Sequence, residues 1–191
     1  MAAVRARLAS GNAHKLEELR AALPDWQLEL LETDRPYPPE DGATYEENAR
    51  GKALCGRPFA PAGEWVLGED SGVEVEALGG RPGIHSARYG DGGSGKERLL
   101  RELEGVHDRR ARYVCTIVAV RDDGEEVVAR GTLAGTVARE QRGSEGFGYD
   151  PIFTPKGEER TVAELGNEWK RANSHRARAA AALRRLVTDC Y

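Results

Sequence analysis

The sequence has 191 residues, of which 39% are hydrophobic and 31% charged, and its formal net charge is −4. This size suits one domain, spanning residues 1–191, with room for a substantial core and for two lobes. The acidic balance argues against a nonspecific nucleic-acid binder, because such proteins carry a strong excess of Lys and Arg. It leaves room for a nucleotide site, since a few cations focused in one cleft are enough to bind a triphosphate.

No apolar run approaches the roughly 20 residues that a membrane-spanning helix needs. The N-terminal segment MAAVRARLAS also lacks the long apolar core of a signal peptide. We therefore expect a cytoplasmic protein with no membrane partner. The three cysteines, Cys55, Cys115 and Cys190, show no spacing typical of metal ligands, so we expect reduced thiols.

The first predicted elements are a strand over Val4–Ala9 and a helix over Lys15–Ala22, joined by the turn Ser10-Gly11-Asn12. A strand that enters a helix through small residues aims free backbone N–H groups at whatever lies above the turn. This geometry predicts an anion site, although the sequence is not a Walker loop. Lys15 by itself is more typical of a solvated helix lysine.

A second strand is predicted over Trp26–Leu31, followed by a proline-rich loop that contains Glu40. Thr44 and Glu47 form the pattern of a capping box, which predicts a helix from Thr44 to about Leu54. Lys52 lies on this helix, one turn after Asn48 and on the same face. If that face points inward, Lys52 could reach a phosphate.

The most informative stretch is GEDSGVEVEALGGRPGIHSARYG, residues 68 to 90. An apolar run ends here in two adjacent carboxylates, Glu69 and Asp70, and Ser71-Gly72 then predicts a turn before a second extended segment. Carboxylates at a strand end, beside a hydroxyl and a glycine, suit a Mg²⁺ ion that keeps several waters and binds phosphate oxygens. Asp-Ser-Gly is also typical of a charged β-turn, and the stretch alone favours that interpretation.

The middle of the chain predicts a helix, a central strand and a hairpin. Ser94 and Glu97 give a second capping-box pattern, and the helix after them ends before Gly105. The segment 111–120 is almost entirely apolar or β-forming, which predicts a strand covered on both faces. The turn 122–124 then leads into a returning strand over Glu126–Leu133.

A glycine-rich loop at residues 143–148 leads into Phe147, Tyr149 and Asp150. Aromatic rings in such a loop either stack on a base or fill the core, and a carboxylate there could accept hydrogen bonds from ring N–H groups. The last third of the chain predicts helices over Glu168–Ala172 and Arg176–Val187. Ser174 is the predicted N-cap of the second, and Ala179, Leu183 and Leu186 should share one face of it.

Five blocks occur in a fixed order: SGNAHK at 10–15, EDGATYEENARGKA at 40–53, the 68–90 stretch, GFGYDPIF at 146–153 and SHRARAA at 174–180. In this order and with these separations they resemble the Ham1 family, the inosine triphosphate pyrophosphatases that remove non-standard purine nucleotides. The resemblance covers about residue 4 to about residue 186. Any single block could arise by chance, but five in order are specific.

The strand and helix signals predict an α/β fold. The resemblance further implies an elongated mixed β-sheet with flanking helices, forming two lobes around a cleft that holds the active site. It implies a homodimer that uses Mg²⁺ to hydrolyse ITP, dITP or XTP to the monophosphate and pyrophosphate, with water attacking the α-phosphorus. Two alternatives stay open, a Maf-like pyrophosphatase, which the SHR block disfavours, and a non-catalytic nucleotide sensor, which would have lost the carboxylates.

The resemblance also implies a role for each candidate site residue. Glu40, Glu69 and Asp70 would hold Mg²⁺, and Asp70 would also orient or deprotonate the attacking water. The residues implied for substrate binding are Ser10, Gly11, Asn12, Ala13, His14, Lys15, Lys52, Ser71, Phe147, Gly148, Tyr149, Asp150, Lys170, His175 and Arg176.

Within that set, the 10–15 loop and Lys52 would take the phosphates, and Ser71 would fix the substrate near the metal. Phe147 or Tyr149 would stack on the base, while the edge of the base would be read by Asp150, Lys170, His175 and Arg176.

The sequence departs from the family in two places. The usual pair of aspartates is here Glu69-Asp70, so the longer arm of Glu69 could shift the metal. His85 stands where an aromatic or aliphatic residue is more common, and we interpret it as a packing variant.

Overall fold

A computed structural model describes residues 3–90 and 92–188, and over these residues it has six β-strands and five α-helices. The strands are β1 (Val4–Leu8), β2 (Trp26–Leu30), β3 (Trp65–Val75), β4 (Arg110–Val120), β5 (Glu126–Val137) and β6 (Phe153–Pro155). The helices are α1 (Ala13–Ala22), α2 (Tyr45–Gly56), α3 (Gly95–Glu102), α4 (Val162–Asn173) and α5 (His175–Thr188).

The six strands form one mixed sheet in the order β2-β1-β3-β4-β5-β6. Strand β1 runs parallel to β2 and to β3, whereas β5 and β6 are antiparallel. The buried strand β4 lies between β3 and β5, which confirms its predicted central position. The α/β class and the mixed sheet expected from the sequence are therefore confirmed.

The strand β3 differs most from the prediction. It runs without a break from Trp65 to Val75, so Glu69 and Asp70 lie inside the strand and Ser71-Gly72 is not a turn. The expectation of a strand end at the two carboxylates was wrong. Turn-forming residues do not break β3 because almost all of its residues are buried, and burial of a long paired strand outweighs local turn preference.

Helix caps follow the sequence only in part. Thr44 caps α2 by accepting from the Glu47 amide, but the Glu47 carboxylate bonds the residue before the cap, so the box is incomplete. Ser94 makes no side-chain cap bond at α3. A complete capping box instead begins α4, formed by Thr161 and Glu164. Gly166 has a non-helical conformation that kinks α4, and the segment after this kink contains the predicted helix 168–172.

The described residues divide into two compact units. The first comprises the described residues of Met1–Asp70, Cys115–Gly131 and Arg176–Tyr191, and the second comprises those of Ser71–Val114 and Thr132–His175. The expectation of a single domain with a cleft between two lobes stays a prediction.

The core of the first unit has two apolar clusters. One contains residues of β1, β2, α1 and α5, including Leu8, Leu19 and Leu183, and the other packs α2 against Val66 and Val118. On α5 the predicted face is only partly right. Ala179 and Leu183 are buried, but Leu186 is exposed and its neighbour Val187 takes the core position.

The second unit has its own core, which includes Leu99, Leu133, Ile152 and Phe153. Within the described part of the chain, no helix is long and apolar enough to cross a membrane. Cys55 and Cys115 are free thiols, as expected, and Cys190 lies outside the described residues.

Candidate active site

Strand β3 sends its side chains alternately to opposite sides, because successive residues of a β-strand face opposite sides of the sheet. Trp65 and Leu67 join the cluster formed with α1 and α5, whereas Val66 joins the cluster formed with α2. Because the alternation continues along β3, Glu69 lies on the side of α1 and α5 and Asp70 lies on the side of α2. Two carboxylates adjacent in sequence are thereby committed to different surroundings.

The Glu69 carboxylate is completely buried in an ionic network. Its Oε2 lies 2.5 Å from Lys15 Nζ, and its Oε1 accepts hydrogen bonds from Arg176 Nε at 3.2 Å and Nη2 at 2.9 Å. The Cys115 thiol donates to the same Oε1 at 3.3 Å. The remaining end of the guanidinium, Arg176 Nη1, donates to Glu18.

These partners decide the charge state of Glu69. Burial alone would raise the pKa of its carboxyl, but the charges of Arg176 and Lys15 hold that pKa well below its ordinary value. Burial and the nearby Glu69 charge raise the pKa of the Cys115 thiol well above normal. Glu69 is therefore an anion held between two cations, and Cys115 is a neutral thiol.

The Asp70 carboxylate lies in a second buried group. Asn48 Nδ2 donates to Asp70 Oδ2 at 2.9 Å, and Lys52 Nζ lies 3.8 Å from Asp70 Oδ1. Lys52 Nζ also donates to Glu40 and, at 3.0 Å, to the backbone carbonyl of Glu69. Lys52 and Asn48 lie one turn apart on α2, as predicted, and both are buried, so the face that they share points inward.

Desolvation is the main influence on Asp70. Burial raises the pKa of its carboxyl above the ordinary value, while Lys52 and the hydrogen bond from Asn48 act in the opposite direction. A carboxylate with a raised pKa, fixed by an amide donor, has the character of a general base whose lone pairs are held in one direction.

The predicted metal set fits only in part. Among the described residues, no three His, Cys, Asp or Glu side chains converge in a way that would hold a metal ion. Glu40 and Asp70 both contact one ammonium group, so two carboxylates are available, and Mg²⁺ commonly binds through one or two carboxylates plus water and phosphate. The Glu69 carboxylate instead contacts Lys15 and Arg176, so its part in holding the metal stays a prediction.

The 10–15 block forms the turn and first residues of α1, as predicted. Asn12 is the N-cap, and its Oδ1 accepts from the amides of His14 and Lys15, so these two N–H groups are not free for an anion. Ser10 Oγ accepts from the Asn12 amide. Gly11, Ala13 and His14 are exposed, whereas the Lys15 side chain is mostly buried against Glu69.

A separate polar cluster lies in the second unit around Asp150. The Asp150 carboxylate is buried and accepts from Lys170 Nζ at 2.6 Å, from the Phe147 amide at 2.8 Å and from the Tyr113 hydroxyl at 3.1 Å. The buried His175 ring stacks on Tyr113 with 4.5 Å between centroids. Asp150 was expected to accept from a base, but its carboxylate is already committed to Lys170 and the loop.

The two aromatic candidates of the loop differ in position. Tyr149 is buried, and its hydroxyl donates to the carbonyl of Ser86 at 2.8 Å, so it is a core residue and not a surface for stacking. Phe147 is half-buried, with Lys170 Nζ 4.1 Å from its ring centroid. Gly148 has a positive φ of 63°, which lets the loop turn between the two rings.

The remaining predicted residues are placed as follows. Ser71 is half-buried in β3. Arg176 is fixed by two carboxylates through Nε, Nη1 and Nη2, and its part in reading a base stays a prediction. His85 is exposed and its Nδ1 lies 3.0 Å from Arg88, so the interpretation as a packing variant was wrong.

Sequence reasoning missed three contributors to these clusters. Glu18, which pairs with Arg176, lies one turn after Lys15 on α1, and that i, i+3 spacing was a usable signal. Cys115 and Tyr113 lie two residues apart on β4 and contact Glu69 and Asp150 respectively. Their sequence surroundings are those of an ordinary buried strand and gave no signal.

The sequence profile of the Ham1 family matches residues 6–186. The chain belongs to the Ham1 family. It is 46% identical over 192 residues to a dITP/XTP pyrophosphatase of Deinococcus deserti, covering 95% of this chain and 88% of the relative. It is 43% identical over 186 residues to a dITP/XTP pyrophosphatase of Clostridium perfringens, covering 90% and 91% of the two chains. A Maf-like assignment is not favoured.

Solved structures of Ham1 proteins share the fold. The Ham1 protein of Staphylococcus aureus matches with a TM-score of 0.84 and 36% identity, covering 98% of this chain and all of that one. A Ham1 protein of Coxiella burnetii matches with a TM-score of 0.85 and 34% identity, covering 97% and 99% of the two chains.

Proposed function

We propose that this Ham1-family protein hydrolyses dITP, ITP and XTP to the nucleoside monophosphate and pyrophosphate, and so removes them from the nucleotide pool. The observation that carries the proposal is the group of buried Asp70, Asn48 and Lys52 with half-buried Glu40, in a chain whose relatives are named dITP/XTP pyrophosphatases. The reaction, NTP + H₂O → NMP + pyrophosphate, needs a positioned water and neutralised phosphate charge more than covalent chemistry.

Asp70 is the residue that would act on the water. Its Oδ2 is held by Asn48, and its Oδ1, 3.8 Å from Lys52 Nζ, would orient a water molecule or accept its proton. Burial favours this role because it raises the pKa of the carboxyl toward the range in which a base works near neutral pH.

Glu40 and Asp70 would hold the Mg²⁺ ion, and the backbone carbonyl of Glu69 offers a further oxygen nearby. When bound, Mg²⁺ would neutralise phosphate charge and polarise the oxygens that surround the α-phosphorus. The Glu69 carboxylate has a different role in this proposal, because it holds Lys15 and Arg176 in place.

Lys15 and Lys52 are the cations proposed for the phosphates. Each contacts a carboxylate of the chain itself, so the position of each ammonium group is set by the fold. Preordered cations lose less conformational entropy on binding than solvated lysines do.

Base choice is proposed for the Asp150 cluster. Lys170 Nζ donates to Asp150 and lies 4.1 Å from the Phe147 ring centroid, so an ammonium group and an aromatic ring are held side by side for a base. Hypoxanthine and xanthine present a 6-oxo acceptor, whereas adenine presents a 6-amino donor that would meet another donor. Guanine also carries a 6-oxo group, so this group cannot distinguish it from hypoxanthine. The backbone around residues 147–150 would instead reject guanine by excluding its 2-amino group.

The proposal extends to the setting of the enzyme. A cytoplasmic location agrees with the free thiols of Cys55 and Cys115. A homodimer is the state that the family resemblance implied, and light scattering on the purified protein would report twice the mass of one chain if it is correct.

The test is an assay of ITP, dITP, XTP, ATP and GTP with Mg²⁺, measuring pyrophosphate, orthophosphate and the remaining nucleotide. We expect monophosphate and pyrophosphate in equal amounts from the first three substrates. Tight binding of ITP with no turnover would indicate the nucleotide sensor instead. Release of orthophosphate and a diphosphate would show that a different bond is cleaved.

A further inference from the structure

Three oxygen atoms, one from the loop before α2 and two from neighbouring residues of β3, lie around Lys52 Nζ. Glu40 Oε1 accepts a hydrogen bond from it, the Glu69 backbone carbonyl accepts one at 3.0 Å, and Asp70 Oδ1 lies 3.8 Å away. Lys52 is only 6% exposed, so bulk water contributes little to its solvation. Its ammonium is solvated mainly by protein oxygens.

The same oxygens are the ones proposed for Mg²⁺. Hard cations prefer carboxylate and carbonyl oxygens, and an ammonium group makes the same choice. Glu40 and Asp70 carry two negative charges and Lys52 one positive charge, so the group of three has a net charge of −1. This local excess of negative charge favours a further cation, but the ammonium already contacts the oxygens that the cation would use.

We propose that Lys52 is a tethered cation that occupies the metal-binding position of the nucleotide-free protein and is displaced when a divalent ion binds there. The inference rests on the proposed function in one respect, the choice of Glu40 and Asp70 as metal ligands. Lys52 is then a positioning residue. Its positive charge offsets the repulsion between the Glu40 and Asp70 carboxylates and keeps them close together until the metal binds. The displaced ammonium is then available to a phosphate.

The proposal differs from a simple phosphate-binding role for Lys52. A lysine that bound phosphate from a position away from Glu40 and Asp70 would have little effect on metal affinity when nucleotide is absent. A lysine that competes for the metal position weakens metal binding, because a positive charge a few ångströms from a divalent ion is strongly repulsive in a buried site. The sign of the effect on metal affinity therefore separates the two roles.

The first experiment is a titration of the nucleotide-free protein with Mn²⁺, followed by electron paramagnetic resonance of the free ion. We expect Lys52→Met to bind Mn²⁺ at least about tenfold more tightly than the wild type. The gain should disappear in the double variant Lys52→Met with Glu40→Gln, since that change removes a ligand. The proposal would be overturned if Lys52→Met bound Mn²⁺ as tightly as the wild type or more weakly, or if either of these two proteins did not bind Mn²⁺.

The matched control is Lys15→Met. It removes the same charge from a buried lysine, but Lys15 Nζ pairs with Glu69 Oε2, which the strand alternation directs away from Asp70. We expect a much smaller change in Mn²⁺ affinity than for Lys52→Met. A gain as large as that of Lys52→Met would mean that overall charge, not occupation of the position, controls the affinity, and would overturn the proposal.

The second experiment uses the wild type, so it does not depend on how well a variant folds. Reductive methylation followed by peptide mass spectrometry measures the reactivity of individual lysines. Saturating Mn²⁺ should raise the labelling of Lys52, because its ammonium leaves the carboxylates, and should leave Lys15 unchanged. Unchanged labelling of Lys52 would overturn the proposal.

Neither measurement uses turnover, so its failure is distinguishable from failure of the proposed function. A protein that hydrolyses ITP but shows no competition between Lys52 and Mn²⁺ keeps its function and loses this inference. A protein that shows the competition but does not hydrolyse ITP keeps the inference and loses the function.

Discussion

At the scale of single residues, the alternation of β3 gives Glu69 and Asp70 different chemistry. Glu69 is enclosed by Lys15 and Arg176, which stabilise its charge, whereas Asp70 is buried beside an amide and a shared ammonium. Glu69 is therefore a fixed counterion, whereas Asp70 can take up or release a proton or exchange the cation that it contacts. These assignments make opposite predictions for isosteric amide substitutions.

Asp70→Asn should keep the fold and lose turnover. The amide has the same shape but cannot accept a proton, and loss of a general base alone costs roughly 10²–10⁴-fold in rate. Steady-state hydrolysis of ITP at saturating Mg²⁺, with thermal unfolding as the check on folding, measures it. The exposed acid Asp34 gives the control Asp34→Asn, which should hydrolyse ITP like the wild type. Retention of most activity by Asp70→Asn would contradict the assignment.

Glu69→Gln should act mainly on stability. Removing the anion leaves Lys15 and the buried Arg176 without their shared partner, and breaking a buried ion pair costs about 3–5 kcal/mol in the free energy of unfolding. Urea unfolding measures it, and the surface variant Glu126→Gln should cost less than about 1 kcal/mol. A metal role for Glu69 would instead appear as weaker Mn²⁺ binding with little loss of stability.

The same carboxylate predicts an acid dependence. Because the pKa of Glu69 is lower in the folded than in the unfolded protein, its stabilisation is complete above the ordinary value of 4.5 and is lost as pH falls through the lowered pKa. The difference in stability between the wild type and Glu69→Gln should therefore shrink on acidification below that value.

Lys170→Met should reduce discrimination between bases. If the ammonium donates to a 6-oxo group, its loss should lower kcat/KM for ITP by about 10- to 100-fold, the effect of one lost charged hydrogen bond. Hydrolysis of ATP should change much less, so the ratio of the two kcat/KM values falls. Arg171→Met, an exposed cation on the same helix, is the control and should leave the ratio unchanged. Equal losses on ITP and ATP would assign Lys170 to the fold.

At the scale of elements, the approach of α2 to β3 positions Asn48 and Lys52. Gly68 permits this approach: a Cβ there would lie 1.9 Å from the carbonyl oxygen of Ala49 and 2.8 Å from the amide of Ala53. The contact is between two backbones, so no side-chain rotation can relieve a clash. The glycine thus sets the distance between Asp70 and the helix that carries its partners.

Gly68→Ala should push α2 away from β3, with an overpacking cost of about 3 kcal/mol. The shift should also weaken Mn²⁺ binding and lower ITP turnover. Gly51→Ala on the same helix is the matched control, because its Cβ would meet only Pro38, at 3.8 Å, and alanine favours a helix by about 1 kcal/mol. Native stability and activity in Gly68→Ala would show that α2 is not held at this distance by the glycine.

The elements also show what a sequence can and cannot predict. Periodicity located β1, β2, β4 and α2 because each has a clear apolar pattern or cap. It failed at β3, where Asp-Ser-Gly has turn chemistry but burial by neighbouring strands keeps the chain extended. Such neighbours are distant in sequence, so their effect is not visible locally.

The candidate site was predictable in its members more than in its pairings. The resemblance to the Ham1 family implied Lys15, Glu40, Lys52 and Asp70 as site residues, and the structure brings Glu40, Lys52 and Asp70 together. It also grouped Glu69 with the metal ligands. Glu69 and Asp70 face opposite sides of the sheet because β3 continues through Ser71, whereas the motifs predicted that the strand ends there. Pairing follows from geometry that only the folded chain supplies.

At the scale of the whole molecule, each compact unit carries a polar cluster beside its own apolar core. The first unit holds the buried carboxylates with their lysines, and the second holds Asp150 with Lys170. Burial makes both clusters costly unless every charge is paired, and pairing keeps their geometry fixed. The proposed activity assigns charge neutralisation to the first and base choice to the second.

The most direct test of the central claim is competition among nucleotides in one mixture. The protein and Mg²⁺ are incubated with equal concentrations of ATP, GTP, CTP, UTP, ITP and XTP, and each nucleotide is followed by liquid chromatography and mass spectrometry. We expect ITP and XTP to disappear first, each replaced by its monophosphate, while the four standard nucleotides persist. Loss of all six at similar rates, or survival of ITP and XTP, would contradict the account.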